Sequence, residues 1–407
     1  MLSGAAAFAV SGGAAAASSL SALQGGLSRQ LALAGSGSSA YVYDLSAREA
    51  LFSERAAVPR PPASVEKLYT ATTALERLGP SARLSTSVLG TGALAPEGVW
   101  EGSLYLRGGG DPTFGGPAFI RSHYGGMGAS VSALASQLAR TDGIREVTGS
   151  IEGDESYLNS LRGEPSSGYA PDLFLEGTLS ALAFNRGESG SLGGPHAPAA
   201  YAARQLWAAL RQAGVRIDGS VGSAVTPIAA RTLASVGSPT LAQLLGLMLP
   251  ASDNFFAETL IKDLGARFGG AGTTAAGAAV IRATISASFG LRPRVVDGSG
   301  LSHADRTSTY QVAGLLTALA SSPLGAVLRG DLAVVGHTGT LAHRMRGTVA
   351  AGRCQAKTGT LIGVSNLAGY CRSARGHLLV FAFFNDGIAI EFAHAVQDRM
   401  AIALAGY

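Results

Sequence analysis

Hydrophobic and polar positions fall into blocks of different period along this chain. From Ala40 to Glu54, AYVYDLSAREALFSE sets two short β-rich runs around a polar Ser46-Ala47-Arg48 turn, which predicts a hairpin. The run PRPPAS stops it, and SVEKLYTATTALERLG then places Leu68, Thr72, Leu75 and Leu78 at helical spacing before Gly79-Pro80. An amphipathic helix is expected to begin at or near Ser64. Between 89 and 236 lie short strand-like runs such as SLYLRG and REVTGSIEG, separated by Gly-rich turns. Helical patterns return at YAARQLWAALRQAG, NFFAETLIKDLGARFG, the Ala-rich run 275–288 and TYQVAGLLTALASS. A strand-turn-strand pattern from Gln355 to Cys371, a strand at HLLVFAFFND and a helix over about 389–404 close the chain. Blocks of strands and helices, rather than strict alternation, predict mixed α/β architecture with antiparallel pairing.

The 407 residues suggest two or three domains at about 150 residues each. With 47% hydrophobic and 14% charged residues, a charge-rich disordered polymer is excluded. The net charge is +4, but the 31 basic residues are scattered without a like-charge run, so nucleic acid is not an expected partner. Only Lys67, Lys262 and Lys357 among them are lysines, so each deserves inspection. Residues 1–28 carry no charged side chain and read as the remnant of an export signal or a linker, although the usual basic start is missing. No later segment has 18 uninterrupted apolar residues, so no transmembrane span is expected in the mature chain.

Ser64 and Lys67 are three residues apart at a helix start, which puts a nucleophile and a base on one face. In isolation this spacing fits a helix cap beside a solvated lysine better. Lys357 opens Lys-Thr-Gly-Thr on a strand, where a cation can meet a substrate carboxylate and Gly359 permits close approach of a substrate backbone. Lys262, on a helical face, reads as a surface or snorkelling residue. The midpoint of Cys354 and Cys371 falls between Ile362 and Gly363, so a tight turn there sets the cysteines opposite each other and predicts a disulfide. His337-Thr338-Gly339-Thr340 mimics the lysine motif, but it lacks the cation and the hairpin, so position 357 is preferred. GAGTTA at 270–275 reads as a structural loop rather than a dinucleotide fingerprint.

Together, SxxK at 64–67, Ser252-Asp253-Asn254 and Lys357-Thr358-Gly359 form the motif set of penicillin-binding proteins and serine β-lactamases. With Ser252 188 positions after Ser64, the chain resembles the low-molecular-mass D-alanyl-D-alanine carboxypeptidases of the peptidase S13 family, which carry a domain inserted there. GGGDPTF at 108–114, GDESYL at 153–158, LSALAFN at 179–185, SDNFFAETL at 252–260, DGSGLS at 297–302 and GTLAHRM at 339–345 extend the likeness from about 38 to 404. The resemblance implies a serine β-lactamase/transpeptidase-like domain, an antiparallel five-stranded sheet flanked by helices with a helical lobe. Its parts would be 29–88 and 237–407, with a strand-rich insert over 89–236 that looks shorter than in larger members.

The same resemblance implies an extracytoplasmic carboxypeptidase, in the cell envelope, periplasm or secreted, that trims peptidoglycan stem peptides. Endopeptidase action on cross-links is common in the family. Ser64 would be the nucleophile and Lys67 its base, Ser252 would relay a proton, and Asn254 would hold substrate amide and Lys67. Lys357, Thr358 and Thr360 would bind the terminal carboxylate, and the N–H groups of Ser64 and Thr360 would form the oxyanion hole. β-Lactams would acylate Ser64, and neither metal nor organic cofactor is required. A β-lactamase is disfavoured by the long insert and by the lack of Glu-x-x-Leu-Asn between Ser64 and Lys357. A non-catalytic wall-binding or β-lactam-sensing protein would not need all three motifs.

Overall fold

The computed structural model describes residues 19–187 and 197–407. An antiparallel sheet runs in the order Ala333–Val334, Cys354–Leu361, Val364–Arg372, Leu378–Asp386, Ser38–Asp44 and Glu49–Glu54. It has six strands where five were expected. The sixth is the two-residue Ala333–Val334, which pairs with Ala356 and Gln355 and covers an otherwise open edge just before the lysine motif. The predicted hairpin between Ser38–Asp44 and Glu49–Glu54 turns through Arg48 at φ 60°, with Asp44 Oδ1 accepting from the N–H groups of Ser46 and Ala47.

Both faces of this sheet are covered, which is why its central strand reads as one apolar run rather than an alternation. Leu379, Phe381 and Phe383 point to a layer formed by the helices Leu20–Ala34 and Ile390–Gly406. Val380, Ala382 and Phe384 point to the helical lobe, which contains Lys67–Leu78, Leu241–Ala251, Asn254–Phe268, Thr274–Phe289 and Thr309–Leu319. The helix Leu20–Ala34 corrects one expectation. The boundary placed at residue 28 falls inside it, because Leu23, Leu27 and Leu31 form a buried stripe in the core of the catalytic domain. Residues 1–18, the rest of that expected leader, lie outside the described residues. Among the described residues no single helix is long and apolar enough to cross a membrane.

The insert has its own core of Val88, Trp100, Leu104, Leu106, Leu134, Leu138, Leu206 and Leu210. Its larger sheet runs in the order Val221–Ser223, Ile151–Asp154, Leu104–Arg107, Ser85–Gly90 and Arg231–Gly237. The chain enters and leaves through the paired strands Ser85–Gly90 and Arg231–Gly237, so the expected boundaries at 88 and 236 fall within that pair. The insert is also not wholly separate. Residues 155–187, mostly irregular backbone, return to the helical lobe, where Leu175, Leu179 and Ala183 are buried in one core with Tyr69 and Phe255.

Candidate active site

The serine turn is built by what precedes it. Pro61 and Pro62 exclude a regular helix there, and the Asn366 amide donates to both of their carbonyls, at 2.9 and 2.8 Å. Ala63, at φ 49°, begins one 3-10 turn, Ala63–Glu66, before the helix Lys67–Leu78. Ser64 therefore stands in the turn that leads into the helix. Gly359 packs against the same turn. A Cβ on it would lie 2.6 Å from the Pro62 carbonyl oxygen and 3.2 Å from the Ser64 nitrogen. The protein's own serine turn therefore already requires glycine at this position.

Lys67 is fully buried, with its amine 2.9 Å from Ser64 Oγ, 2.6 Å from Asn254 Oδ1 and 2.8 Å from the Ser299 carbonyl oxygen. The Asn254 amide has a determined orientation, because its Nδ2 donates to the Phe174 carbonyl at 2.7 Å. Two of the three directions around the Lys67 nitrogen thus face groups that only accept. A neutral amine here spends both N–H bonds on Asn254 and Ser299, and its lone pair faces the Ser64 hydroxyl. Burial brings the Lys67 pKa down to about 8, against the opposing pull of Asp297, Asp253, Glu258 and Glu66.

The serine-asparagine motif sits between two helices. Ser252 takes φ 64° at the end of Leu241–Ala251, and Asp253 caps Asn254–Phe268 by accepting from the Phe256 N–H at 3.0 Å. Asp253 is gripped by Arg186 of the insert through two bonds, 2.6 and 3.1 Å. Burial works against the charge on Arg186, but Asp253 overrides it and raises the guanidinium pKa. On the lysine strand, Lys357 is fully buried and donates to the Thr358 carbonyl at 2.9 Å. Burial, then the neighbouring Lys67, pushes its pKa well below the usual value. Thr358 Oγ1 is 2.8 Å from Thr340 Oγ1, and a Cβ on Gly339 would lie 2.3 Å from the Pro250 carbonyl oxygen. The histidine mimic set aside in the sequence therefore wedges between the two motifs. Thr360 follows on the same strand, opposite Ser365. At the other end, Cys354 and Cys371 are paired across the ladder and joined by a disulfide.

Lys262 also departs from its expectation. It is not a surface residue but fully buried, donating to Asn159 Oδ1 at 2.9 Å and to the Leu161 carbonyl at 2.5 Å, and burial lowers its pKa to about 8. All three lysines in this arginine-biased chain are thus buried ones. That bias was the signal for Lys262. Ser299 lay in a quoted motif, but its contribution is a main-chain carbonyl, as is that of Phe174, so side-chain identity does not announce either.

The model of the D-Ala-D-Ala carboxypeptidase 3 (S13) family matches residues 22–172 and 172–407. The chain belongs to this family. A D-alanyl-D-alanine carboxypeptidase of Actinomadura sp. (strain R39) is 30% identical over 458 residues, spanning 92% of this chain and 82% of the relative. Carboxypeptidase DacB of Mycolicibacterium smegmatis is 30% identical over 371 residues, 86% of this chain and 77% of its own. The crystal structure of penicillin-binding protein 4 (dacB) from Haemophilus influenzae shares the fold at TM-score 0.76 and 20% identity, covering 92% of this chain and 97% of that one. The mixed α/β fold expected from the sequence is therefore the fold of that solved structure.

Proposed function

We propose that this serine-type D-Ala-D-Ala carboxypeptidase trims peptidoglycan stem peptides through an acyl-enzyme on Ser64. The observation that carries the reading is the Lys67 amine 2.9 Å from Ser64 Oγ with its other directions occupied by Asn254 Oδ1 and the Ser299 carbonyl. Ser64 Oγ attacks the carbonyl carbon of the penultimate D-Ala while Lys67 takes the hydroxyl proton. The N–H groups of Ser64 and Thr360 receive the oxyanion, the kind of preorganised donor pair that lowers such barriers. Ser252 relays that proton from Lys67 to the leaving nitrogen, terminal D-Ala departs, and Lys67 is neutral again. Water then attacks the ester as Lys67 accepts its proton and returns it to Ser64 Oγ, which leaves as the free hydroxyl. No step calls for a metal or organic cofactor.

Lys357, Thr358 and Thr360 receive the terminal carboxylate of the substrate. An arriving anion supplies the partner that a charged Lys357 lacks, so carboxylate binding and protonation of this amine reinforce each other. β-Lactams, which imitate the D-Ala-D-Ala end, acylate the same serine; a penicillin G-acylated form is known for a predatory endopeptidase of Bdellovibrio bacteriovorus with TM-score 0.52 to this chain. The reaction is placed outside the cytoplasm, a reading supported by the Cys354–Cys371 disulfide. The test is release of D-Ala from a peptide ending in D-Ala-D-Ala, with Ser64→Ala and Lys67→Ala beside the wild type. Loss in both variants is expected; release by Ser64→Ala at the wild-type rate overturns the assignment.

A further inference from the structure

The helix Asn254–Phe268 carries Asn254, Glu258 and Lys262 four residues apart, on one stripe. Asn254 holds the Lys67 amine and Lys262 holds Asn159 and Leu161 of the insert. Glu258, between them, has so far no part in the chemistry. It is fully buried, and its Oε1 accepts from the N–H groups of Gly298 and Ser299, at 2.9 and 2.8 Å. The carbonyl of that same Ser299 receives a bond from Lys67.

The rest of the 297–302 loop is fixed from other sides. Asp297 accepts from the N–H groups of Gly300 and Ser302, at 2.6 and 2.7 Å, and Thr70 Oγ1 donates to the Gly298 carbonyl at 2.8 Å. Gly300, at φ 82°, lies so close to the serine turn that a Cβ would stand 1.9 Å from the Ala63 carbonyl oxygen. The loop is thus wedged against the turn that carries Ser64, and the N–H group of Ser299 is held from the helix by Glu258. The other oxygen of Glu258, Oε2, is buried without a hydrogen-bond partner among the described residues. Burying it is unfavourable, and the return is the pair of bonds that Oε1 accepts from the loop.

We propose that Glu258 is a positioning residue for the Lys67 general base: by gripping the Gly298 and Ser299 N–H groups, it keeps the Ser299 carbonyl where it takes one N–H of Lys67 and leaves the lone pair on Ser64. The inference rests on the assignment of Lys67 as base. Burial raises the Glu258 carboxyl to about 8, and Oε1 can accept both bonds in either protonation state. An amide oxygen can do the same. Glutamine should therefore replace this residue, whereas alanine should not.

The experiment compares Glu258→Ala, Glu258→Gln, Thr70→Val and Lys67→Ala in the full chain, by acylation rate with a fluorescent penicillin and by kcat and KM for D-Ala release. Misplacing a catalytic group by a fraction of an ångström to an ångström costs up to about 10²-fold, so Glu258→Ala should lose about that factor in kcat and acylation with KM within about twofold. Glu258→Gln should recover to within about threefold, and Thr70→Val, which removes one anchor of the same loop, should lose about tenfold. Folded Glu258→Ala that acylates at the wild-type rate, or Glu258→Gln as impaired as Glu258→Ala, overturns the proposal. If Glu258→Ala does not fold, Thr70→Val acylating at the wild-type rate overturns it instead. Lys67→Ala separates the two levels: wild-type acylation in that variant removes the base assignment itself, whereas its loss beside normal Glu258→Ala removes only the positioning role.

Discussion

Two walls of one site are built in contrasting ways. The wall made by the serine turn, the helix Lys67–Leu78 and the strand Cys354–Leu361 presents side chains from regular elements, with reacting groups spaced by the element's own period. The wall made by residues 155–187 of the insert is irregular, with Tyr169, Glu176, Asn185 and Arg186 at positive φ. It acts through the Phe174 carbonyl on Asn254 and through Arg186 on Asp253. In the proposed mechanism the first wall supplies the chemistry, and the second fixes the residues that aim it. An insert of this kind belongs to the site even though none of its side chains need touch a reacting atom.

The comparison breaks most directly at the first wall. Ser64→Ala should remove D-Ala release by at least about 10³-fold while leaving the fold intact, since nucleophile loss in serine enzymes costs this or more; a colorimetric D-Ala assay reads it. At the second wall, Arg186→Ala strands Asp253 beside a helix start. We expect kcat/KM to fall by up to about 10²-fold as Asn254 moves, with about 3 kcal/mol lost from denaturant unfolding because a mostly buried ion pair is left half empty. An unchanged kcat/KM would show that the insert does not position the motif.

A pH profile sharpens the role of Lys67. Burial lowers its pKa to about 8, and only the neutral amine accepts a proton, so kcat/KM should rise about tenfold per pH unit below that value and level off above it. A profile flat from pH 6 to 9, which spans this pKa on both sides, would exclude this base. The disulfide closes a loop with a sequence separation of 17, so replacing both cysteines by serine should cost about 3 kcal/mol of stability, with kcat near wild type, measured by urea unfolding and turnover. Phe174→Ala should do least. Its ring is largely exposed and only its carbonyl is used, so activity should stay within about twofold.

The same contrast explains what the sequence made legible. Ser64 and Lys67 are three residues apart on one chain segment, so their meeting follows from local geometry. The ladder from Cys354 to Cys371 centres on a tight turn, and the hairpin follows from counting. Gly359 packs against the Ser64 turn, 295 residues away in the chain, a contact that spacing alone does not reveal. Thr340, in the discarded mimic, reaches Thr358 only because the Gly339 turn packs under Pro250. The polar stripe through Lys262 looked like a solvated helix face because its covering layer, Asn159 and Leu161, comes from the insert. Residues whose partners are distant and whose contribution is main-chain leave no pattern of spacing to read.

The central claim is that Ser64 is acylated with Lys67 as its base. We would incubate the protein with benzylpenicillin, record intact mass beside Ser64→Ala and Lys67→Ala, and map the modified peptide. The account predicts one penicilloyl adduct on the peptide containing Ser64, absent in the first variant and strongly slowed in the second. An adduct on another residue, or one that forms at the wild-type rate without Lys67, would contradict it.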